Sequence, residues 1–482
     1  MKFAIKLFPE IIVKSRPVRK QFISQLRKNL KKVLAPILDE VNISGSWDLI
    51  ELDINQNEEH LAEQVISRLQ TTPGIDFFLK VKPFEFESID DIANIVIKEF
   101  ADKVKGKTFC VRVKRSGKHA FNSIDVERQV GGALFHNSDN AGVKLKDPQV
   151  TVNLEIRGDV LLTVVERIKG LGGFPMGQQE SCVSLISGGF DSSIASYLMM
   201  KRGIRTHFCF FNLGGMAHEV GVKQVSHYLW EKYSSSHRTL FISIPFEKVV
   251  AEILTKIDHT QMGVILKRMM LRVANQVADE FNAPALVTGE AVGQVSSQTL
   301  TNLAVIDKVC DTLVMRPLIV MDKPEIIDLS RKIGTEEFAA VMPEYCGVIS
   351  NKPTTRAKLA KIEAEESRFD FDILQAAFEN RKVENIDEIY QSQTNLEDIE
   401  IVNLPSTEDI VIDIRHPHEL ALKPLVLTAN QVLSIPFFKL ESCSELNKDL
   451  NYLLYCDKGV MSQMQAESLA AKGYKVKIYQ PT

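Results

Sequence analysis

Cysteine is scarce in this sequence and follows no pattern of disulfide or metal-binding domains. The 482 residues contain seven cysteines, an odd number spread thinly along the chain. Secreted disulfide-rich domains use cysteine densely and in pairs, so that class is excluded. No Cys-x-x-Cys pair occurs, which argues against a structural zinc site or a cysteine-ligated cluster. A functional cysteine is therefore expected to be reactive rather than structural.

Long apolar runs are also missing. No stretch of about 18–20 apolar residues is present, so we expect no transmembrane helix. The N-terminal segment MKFAIKLFPEIIVKSR is interrupted by Lys6, Glu10 and Lys14 and lacks the small-residue cleavage site of a signal peptide. We therefore expect a cytoplasmic protein with no membrane partner.

The net charge is small, but the charges are unevenly distributed. The formal net charge is -4. The first 33 residues hold ten Lys or Arg against one acid, whereas residues 361–410 carry fourteen acids and four bases. This asymmetry predicts that the N-terminal part meets a polyanion and that the C-terminal part does not.

Hydrophobic periodicity predicts a multidomain α/β protein. Short strands and helices are mixed up to about residue 168, which indicates an α+β region ahead of a glycine-rich break at 169–177. In residues 176–378 apolar strands alternate with helices, which predicts a doubly wound parallel sheet. Residues 379–403 are polar and acidic and are predicted to be a linker. Residues 404–482 have the periodicity of a small α/β unit with parallel strands.

A glycine-rich loop follows the first strand of the doubly wound region. The segment VSLISGGFDSS places SGGFDS, residues 187–192, between an apolar strand and a helix. Glycines allow close backbone approach, so that successive N–H groups and the helix N-terminus can bind phosphate oxygens. Neither a Walker A motif nor G-x-G-x-x-G is present. The alternative is a plain glycine turn in which Asp191 or Ser192 caps the helix.

Further candidates lie where parallel strands are expected to end, because open α/β sheets bind ligands beyond those ends. One such place is the polar stretch TGEAVGQVSSQTLTNL after a buried strand. Lys267 and Lys323 are possible phosphate-binding cations, with an exposed helical lysine as the alternative for each. The candidate nucleotide site is Leu185, Ile186, Ser187, Gly188, Gly189, Phe190, Asp191, Ser192, Lys267, Gly289, Gln298 and Lys323.

Two cysteines attract attention. Cys456 ends the predicted strand NYLLY and precedes a loop and a helix that starts near Ser462. Loop N–H groups and a helix N-terminus stabilise a thiolate, whereas the alternative is an inert packed cysteine. Cys346, in MPEYCGVIS, is on the residues alone a buried or incidental cysteine.

A basic segment in the N-terminal part has the composition of a nucleic-acid contact. KTFCVRVKRSGKH, residues 107–119, places basic side chains around a predicted strand and turn. Such an edge can face phosphates, and a solvated basic face is the alternative. The candidate residues are Lys107, Arg112, Lys114, Arg115, Lys118 and His119.

These motifs resemble those of known families. SGGFDS is similar to the loop of the ATP-pyrophosphatase (PP-loop) family, and the basic segment with SIDVERQVGGAL and DPQVTVNLEI resembles a THUMP domain. The Cys456 loop and DIVIDIR, with Asp413 and Arg415, resemble rhodanese-type sulfurtransferases, although Met461 stands where many rhodanese loops have arginine. In this order, the parts resemble the bacterial tRNA 4-thiouridine synthetase family over nearly the whole chain.

The resemblance implies a domain division and a fold class. It implies a ferredoxin-like domain at residues 1–60, a THUMP RNA-binding domain at 61–168 and a PP-loop adenylating domain at 176–378. A linker at 379–403 and a rhodanese-like α/β domain at 404–482 complete the chain.

The resemblance also implies an activity. Persulfide sulfur would pass, with ATP and Mg²⁺, to the uridine at position eight of tRNA through an adenylated uridine. Asp191 would position the metal, Cys456 would carry the persulfide and Cys346 would form a disulfide with it. The implied partners are tRNA, a cysteine desulfurase, an external reductant and a thiamine-pathway sulfur-carrier protein that receives sulfur for thiazole synthesis.

Two other functions remain open on the sequence. An ammonia-using PP-loop amidotransferase would need neither the basic segment nor Cys456. A non-catalytic RNA-binding sulfur carrier would need no working SGGFDS loop. The residues themselves predict an ATP-dependent, sulfur-handling, RNA-binding protein.

Overall fold

The structure is a computed structural model, and it forms two compact units, Met1–Pro175 and Met176–Thr482. The described residues are 2–38, 40–46, 49–54, 59–213, 215–342, 352–389, 399–415, 420, 423–436, 440, 443, 446–456, 462, 465–466, 469–470 and 472–481. Within these ranges no helix combines the length and the apolar character needed to cross a bilayer.

The first unit is built on one mixed sheet, whose strands run in the order β2-β3-β1-β4-β8-β7-β5-β6. Its elements are β1 (Lys2–Leu7), α1 (Pro9–Ile12), α2 (Arg16–Leu34), β2 (Asn42–Ser46), β3 (Leu49–Asp53), α3 (Glu59–Thr71), β4 (Ile75–Glu85), α4 (Ile89–Phe100), β5 (Thr108–Ser116), α5 (Ser123–His136), β6 (Gly142–Val143), β7 (Val150–Arg157) and β8 (Val160–Gly172). This α+β organisation confirms the sequence prediction for the region. Because the sheet continues through both predicted domains, their division at residue 60 stays a prediction.

Apolar faces of the helices form two cores on this sheet. Leu26 and Leu30 of α2 pack with Phe3 of β1 in one core. Val96 of α4 packs with Phe109 of β5 in the other. The apolar residues recur at helical spacing on one side of each helix, so burying them fixes which face meets the sheet.

Strand β8 is longer than the sequence suggested. The alternating pattern VLLTVVER indicated a strand ending near Arg167, followed by a glycine-rich break, yet β8 continues to Gly172 and pairs there with Ile75. The reason is steric. A Cβ on Gly170 would lie 2.4 Å from the carbonyl oxygen of Ile75, so glycine permits a backbone approach that other residues would block.

The second unit contains a six-stranded sheet in the order β13-β12-β9-β10-β11-β14. Its elements are β9 (Ser181–Leu185), α6 (Phe190–Lys201), β10 (Arg205–Asn212), α7 (Gly215–Tyr233), β11 (Leu240–Pro245), α8 (Glu247–Lys256), α9 (Met262–Glu280), β12 (Ala285–Val287), α10 (Leu300–Ile306), β13 (Leu313–Met315), α11 (Lys323–Ile333), α12 (Glu336–Val341), α13 (Leu359–Glu366), α14 (Phe371–Glu379) and β14 (Lys382–Asn385). The pairs among β9 to β13 are parallel, as predicted. The strand order reverses between β9 and β12, and such switch points are where open α/β sheets bind ligands.

Part of the predicted linker is a strand. In the segment 379–403, β14 pairs antiparallel with β11 at the edge of the sheet. Val383 is the one strongly apolar residue of β14, and it is 42% exposed. An edge strand with so little burial carries no hydrophobic alternation, which is why sequence periodicity did not reveal it.

A third sheet lies in the C-terminal part and has the predicted parallel pairing. Its strands are β15 (Ile401–Val402), β16 (Ile410–Asp413), β17 (Val432–Ser434), β18 (Asn451–Tyr455) and β19 (Lys475–Tyr479), in the order β15-β19-β18-β16-β17. At the end of β16 the buried Arg415 pairs with the buried Asp413 at 2.6 Å. These two motif residues therefore hold the strand end through a paired charge.

Candidate functional site

The SGGFDS loop connects β9 to α6 at the switch point of the sheet. Gly188 has φ +82°, a backbone conformation that L side chains rarely adopt. The Ser187 N–H donates to Ser192 Oγ at 3.1 Å, and Ser193 Oγ donates to the Gly189 carbonyl at 2.9 Å. These bonds hold a tight turn at the N-terminus of α6, where the helix favours anions.

Asp191 stands in the first turn of α6 and is held from two sides. Lys323 Nζ donates to its Oδ1 at 2.7 Å, and Gln294 Nε2 donates to its Oδ2 at 2.8 Å. Lys323 begins α11, and Gln294 belongs to the loop after β12. Two predicted site residues, Asp191 and Lys323, are thus in direct contact.

Gly289, also predicted, packs directly against the glycine-rich loop. A Cβ at this position would lie 2.5 Å from the carbonyl carbon of Asp191 and 2.6 Å from the Ser192 nitrogen. Glycine is therefore required where the loop after β12 crosses the start of α6. The loops that follow β9 and β12 meet at the switch point, as expected for a ligand crevice.

Glu290 follows Gly289 and organises the cations on this side of the site. Its buried carboxylate accepts hydrogen bonds from Lys267, from Arg316 at 2.8 Å and from Thr288 at 3.0 Å. Burial alone would raise the pKa of Glu290, but the charges of Lys267 and Arg316 outweigh it and lower the pKa to about 2. The carboxylate stays ionised and fixes the position of Lys267.

Other predicted residues have local partners. Gln298 is 9% exposed, and its Oε1 accepts the Ala291 N–H at 3.4 Å, so it shapes the loop after β12. Leu185 ends β9, and the Ile186 N–H donates to the Cys209 carbonyl of β10 at 2.9 Å. Whether these residues bind a nucleotide stays a prediction.

Two residues that contact the SGGFDS loop were not predicted from the sequence. The ring of the buried His218 on α7 lies with Nε2 3.3 Å from the Ser187 carbonyl, and burial lowers the pKa of His218. Met342 lies against the loop from another side, because a Cβ on Gly188 would meet its Cε at 2.5 Å. A Cβ on Gly221 would meet the same atom at 3.0 Å, so Met342 fills the space between the loop and α7.

Gln294, Glu290 and Arg316 were also missed. Gln294 and Glu290 lie inside the polar stretch TGEAVGQVSSQTLTNL, which the sequence did single out. Gln294 is 103 residues from its partner Asp191, and Glu290 is 26 residues from its partner Arg316. No local spacing in the sequence reveals these pairs.

A metal ion at this site would rely on Asp191. Within the described ranges no group of three or more His, Cys, Asp or Glu side chains could hold a metal. Mg²⁺ is commonly bound through one or two carboxylates, with phosphates and water completing its shell. One carboxylate beside a glycine-rich loop at a helix N-terminus fits that requirement.

Cys456 lies directly after β18 and is 6% exposed. The Ser462 N–H donates to its sulfur at 3.3 Å, and the Ser462 Oγ lies 3.4 Å from the same sulfur. Beside it, the Arg415 guanidinium lies over the Tyr455 ring at 4.9 Å. Residues 457–461 of the predicted active loop and Cys346 lie outside the described residues.

The basic segment of the first unit forms β5 and the turn after it. Lys107, Arg112, Lys114 and Lys118 are exposed. In the turn, Arg115 Nη1 lies 2.7 Å from His119 Nδ1, His119 Nε2 lies 2.9 Å from the Gly158 carbonyl, and the His119 ring stacks on Phe121. The predicted residues other than Lys107 therefore lie together on β5 and the turn after it, and Lys107 directly precedes the strand.

Comparisons with known proteins cover most of the chain. Family models match a ThiI ferredoxin-like domain at residues 3–78, a THUMP domain at 85–165 and a Thiamine biosynthesis protein (ThiI) at 177–371. The tRNA sulfurtransferases of Shewanella oneidensis and Shewanella loihica are 52% and 53% identical to the chain over 484 residues, with 100% of this chain and of each relative covered. A crystal structure of a 4-thiouridine synthetase–RNA complex with bound ATP is 27% identical, with a TM-score of 0.70, and the match covers 80% of this chain and 99% of that chain.

The fold and the site therefore define an α/β enzyme of the sulfurtransferase class with ferredoxin-like, THUMP and PP-loop regions, which confirms the predicted fold class. Sequence identity of 52–53% over the full length of the chain assigns it to a particular family. The chain belongs to the tRNA sulfurtransferase family.

Proposed function

We propose that the chain uses ATP to transfer persulfide sulfur to the uridine at position eight of tRNA, giving 4-thiouridine. The observation that carries this proposal is the convergence of Lys323 and Gln294 on Asp191 at the glycine-rich loop. Family membership supports it. So does the likeness to a 4-thiouridine synthetase whose structure was determined in complex with RNA and with bound ATP.

The first step consumes ATP. N–H groups of residues 188–192 bind the phosphates, and Lys267 and Lys323 supply positive charge. The uridine O4 attacks the α-phosphorus, and the bond from the α-phosphorus to the bridging oxygen of the β-phosphate breaks. Pyrophosphate departs, and the product carries AMP on O4. Asp191 would hold Mg²⁺, which would neutralise charge on the phosphates. Gly289 and Gln298 line the crevice that receives the nucleotide.

The second step delivers sulfur. A cysteine desulfurase loads Cys456 as a persulfide, whose outer sulfur attacks C4 of the uridine as the C4–O bond breaks and AMP leaves. The Cys346 thiolate then attacks the Cys456 sulfur and breaks its bond to the transferred sulfur. This leaves a Cys346–Cys456 disulfide and sulfur on the uridine, and an external reductant reopens the disulfide.

The exposed basic residues of the first unit are proposed to bind tRNA. Arg112 and Lys114 are exposed on β5, Lys107 is exposed directly before it and Lys118 in the turn after it. A THUMP family model matches residues 85–165. We keep the domain division at 1–60, 61–168, 176–378, 379–403 and 404–482 as a proposal.

A second activity is proposed because the family model over residues 177–371 describes a thiamine biosynthesis protein. The chain would pass sulfur from Cys456 to an adenylated sulfur-carrier protein, for thiazole synthesis. Formation of the carrier's thiocarboxylate by wild-type protein, and its loss in Cys456→Ala, would test this activity by mass spectrometry.

The main test is reconstitution. With ATP, Mg²⁺, a cysteine desulfurase, cysteine and unmodified tRNA, the chain should form 4-thiouridine, measured by nucleoside mass spectrometry. A transcript with cytidine at position eight should stay unmodified. Absence of 4-thiouridine with wild-type tRNA would overturn the proposal.

Two variants separate the rival functions. Cys456→Ala should lose sulfur transfer but keep the tRNA-dependent exchange of labelled pyrophosphate into ATP, because adenylation precedes the sulfur step. An ammonia-dependent product insensitive to this change would favour an amidotransferase. Asp191→Ala should lose both activities, and unchanged thiolation by this variant would favour a non-catalytic sulfur carrier.

A further inference from the structure

Ser462 is directed at the sulfur of Cys456 through two groups. Its main-chain N–H donates to the sulfur at 3.3 Å, and its Oγ lies 3.4 Å from the same atom. Ser462 is fully buried and Cys456 is 6% exposed, so bulk water has little access to the sulfur. The two residues are six positions apart in the chain.

This arrangement suits a thiolate better than a thiol. A shielded anion is costly unless hydrogen bonds replace its water, whereas a thiol needs at most one acceptor and is a weak donor. Hydrogen bonds to ionised groups are also the stronger ones. A serine can supply two donors to one sulfur, from its N–H and its hydroxyl, which alanine cannot.

Arg415, whose guanidinium lies over the Tyr455 ring, has partners of its own. It is buried, and its guanidinium donates to both oxygens of Asp413 and to the Lys423 carbonyl. Its charge is therefore balanced by Asp413. The two Ser462 groups that lie against the sulfur are uncharged.

We propose that Ser462 is a catalytic residue of sulfur transfer, whose hydroxyl donates to Cys456 Sγ and stabilises the thiolate. The inference rests on the proposed function, in which Cys456 carries the sulfur. In the loading step the Cys456 thiolate attacks the outer sulfur of the donor's persulfide. A new Sγ–S bond forms, the donor's S–S bond breaks, and the donor cysteine leaves as a thiolate without net oxidation. The serine hydroxyl keeps its proton throughout.

The test compares the full-length wild type with Ser462→Ala, Ser462→Thr and, as a matched control, Ser406→Ala at an exposed serine. Alkylation of Cys456 by iodoacetamide is followed from pH 6 to pH 10 by peptide mass spectrometry, which separates it from the other cysteines. Persulfide on Cys456 is measured in parallel after incubation with a cysteine desulfurase and labelled cysteine.

We expect Ser462→Ala to be alkylated about tenfold more slowly than wild type near pH 7, because this variant lacks a hydrogen bond to an ionised group. At pH 10 the rates should agree within about threefold, since a less stabilised thiolate is intrinsically more nucleophilic. Persulfide loading near pH 7 should fall in parallel. Ser462→Thr, which keeps the hydroxyl, should stay within about threefold of wild type at both pH values.

The outcomes distinguish failure of the proposed role of Ser462 from failure of the proposed function of Cys456. Identical alkylation and loading in wild type and Ser462→Ala would overturn the role of Ser462. Faster alkylation of Ser462→Ala at every pH would also overturn it, because the serine would then merely cover the sulfur. Failure of the wild type itself to gain persulfide on Cys456 would instead overturn the proposed function, whatever the serine variants do.

Discussion

Lys323 and Asp191 form a 2.7 Å ion pair across the glycine-rich loop although they are 132 residues apart in the chain. Asp191 stands in the first turn of α6, where the helix dipole favours an acid. Lys323 stands at the first position of α11, where the same dipole disfavours a cation. The contact with Asp191 explains why a lysine is tolerated at this position. In the proposed function a phosphate would share the charge of Lys323.

The first prediction tests whether this pair acts as a unit. Lys323→Met and Asp191→Asn should each lower tRNA-dependent AMP formation about 10²-fold or more, as loss of one charged group at a reacting phosphate does. Because each side chain positions the other, the double variant should be no worse than the more damaged single variant. Initial rates of AMP release from labelled ATP give the comparison. If the fold-losses of the two single variants multiply in the double variant, the two residues act independently.

The glycine-rich loop could be predicted because its signal is local. Strand, SGGFDS and helix follow one another within a dozen residues, so periodicity and turn chemistry were sufficient. The partners of Asp191 could not be predicted in the same way. Gln294 looks like any polar loop residue until the fold brings the loops after β9 and β12 together.

The second prediction concerns Gly289. A methyl group there would lie 2.5 Å from the Asp191 carbonyl carbon, and backbone cannot yield as a flexible side chain can. Gly289→Ala should therefore displace the start of α6 and lower AMP formation at least about tenfold. Gly132→Ala on α5 is the matched control, because a Cβ there meets nothing within 4 Å. That variant should keep full activity. Equal behaviour of the two variants would contradict the steric argument.

Lys267 shows where charge reasoning from sequence stops. The basic stretch LKRMMLR suggested a phosphate-binding lysine or an exposed one. The structure pairs Lys267 with the buried Glu290, a contact that the stretch did not indicate, and phosphate binding by Lys267 stays a prediction. The neighbouring Arg268 is 2% exposed and binds both oxygens of Glu366. Glu290 lies 23 residues after Lys267, and Glu366 lies 98 residues after Arg268. The burial and pairing of these side chains therefore follow from tertiary structure.

The third prediction uses the pH dependence of Glu290. Its pKa in the folded chain is about 2, because Lys267 and Arg316 outweigh the effect of burial, and the value is near 4.5 when unpaired. Its contribution to stability is therefore complete above about pH 4.5 and is lost as the pH falls towards 2. Glu290→Gln should lower the free energy of unfolding of the second unit by about 3 kcal/mol at pH 7. The difference from wild type should shrink between pH 4.5 and pH 2.

Urea unfolding can be followed through the fluorescence of Trp230 on α7 in a Trp47→Phe background, because the chain has two tryptophans. Glu325→Gln, at an exposed position of α11, is the control and should cost far less. A difference between Glu290→Gln and wild type that stays constant from pH 7 to pH 2 would show that Glu290 is not the titrating group.

The fourth prediction tests the basic turn of the first unit. Lys114 and Lys118 are exposed on β5 and the turn after it, so each is free to face a phosphate. Lys114→Glu with Lys118→Glu should weaken tRNA binding, and the slope of log affinity against log salt should fall by about one for each phosphate that the protein no longer binds. Lys248→Glu on α8 supplies a charge change at an exposed lysine of the second unit. Filter binding from 50 to 200 mM salt should show an altered slope for the double variant and a nearly unchanged slope for Lys248→Glu. Equal slopes for all three proteins would place the tRNA-binding surface elsewhere.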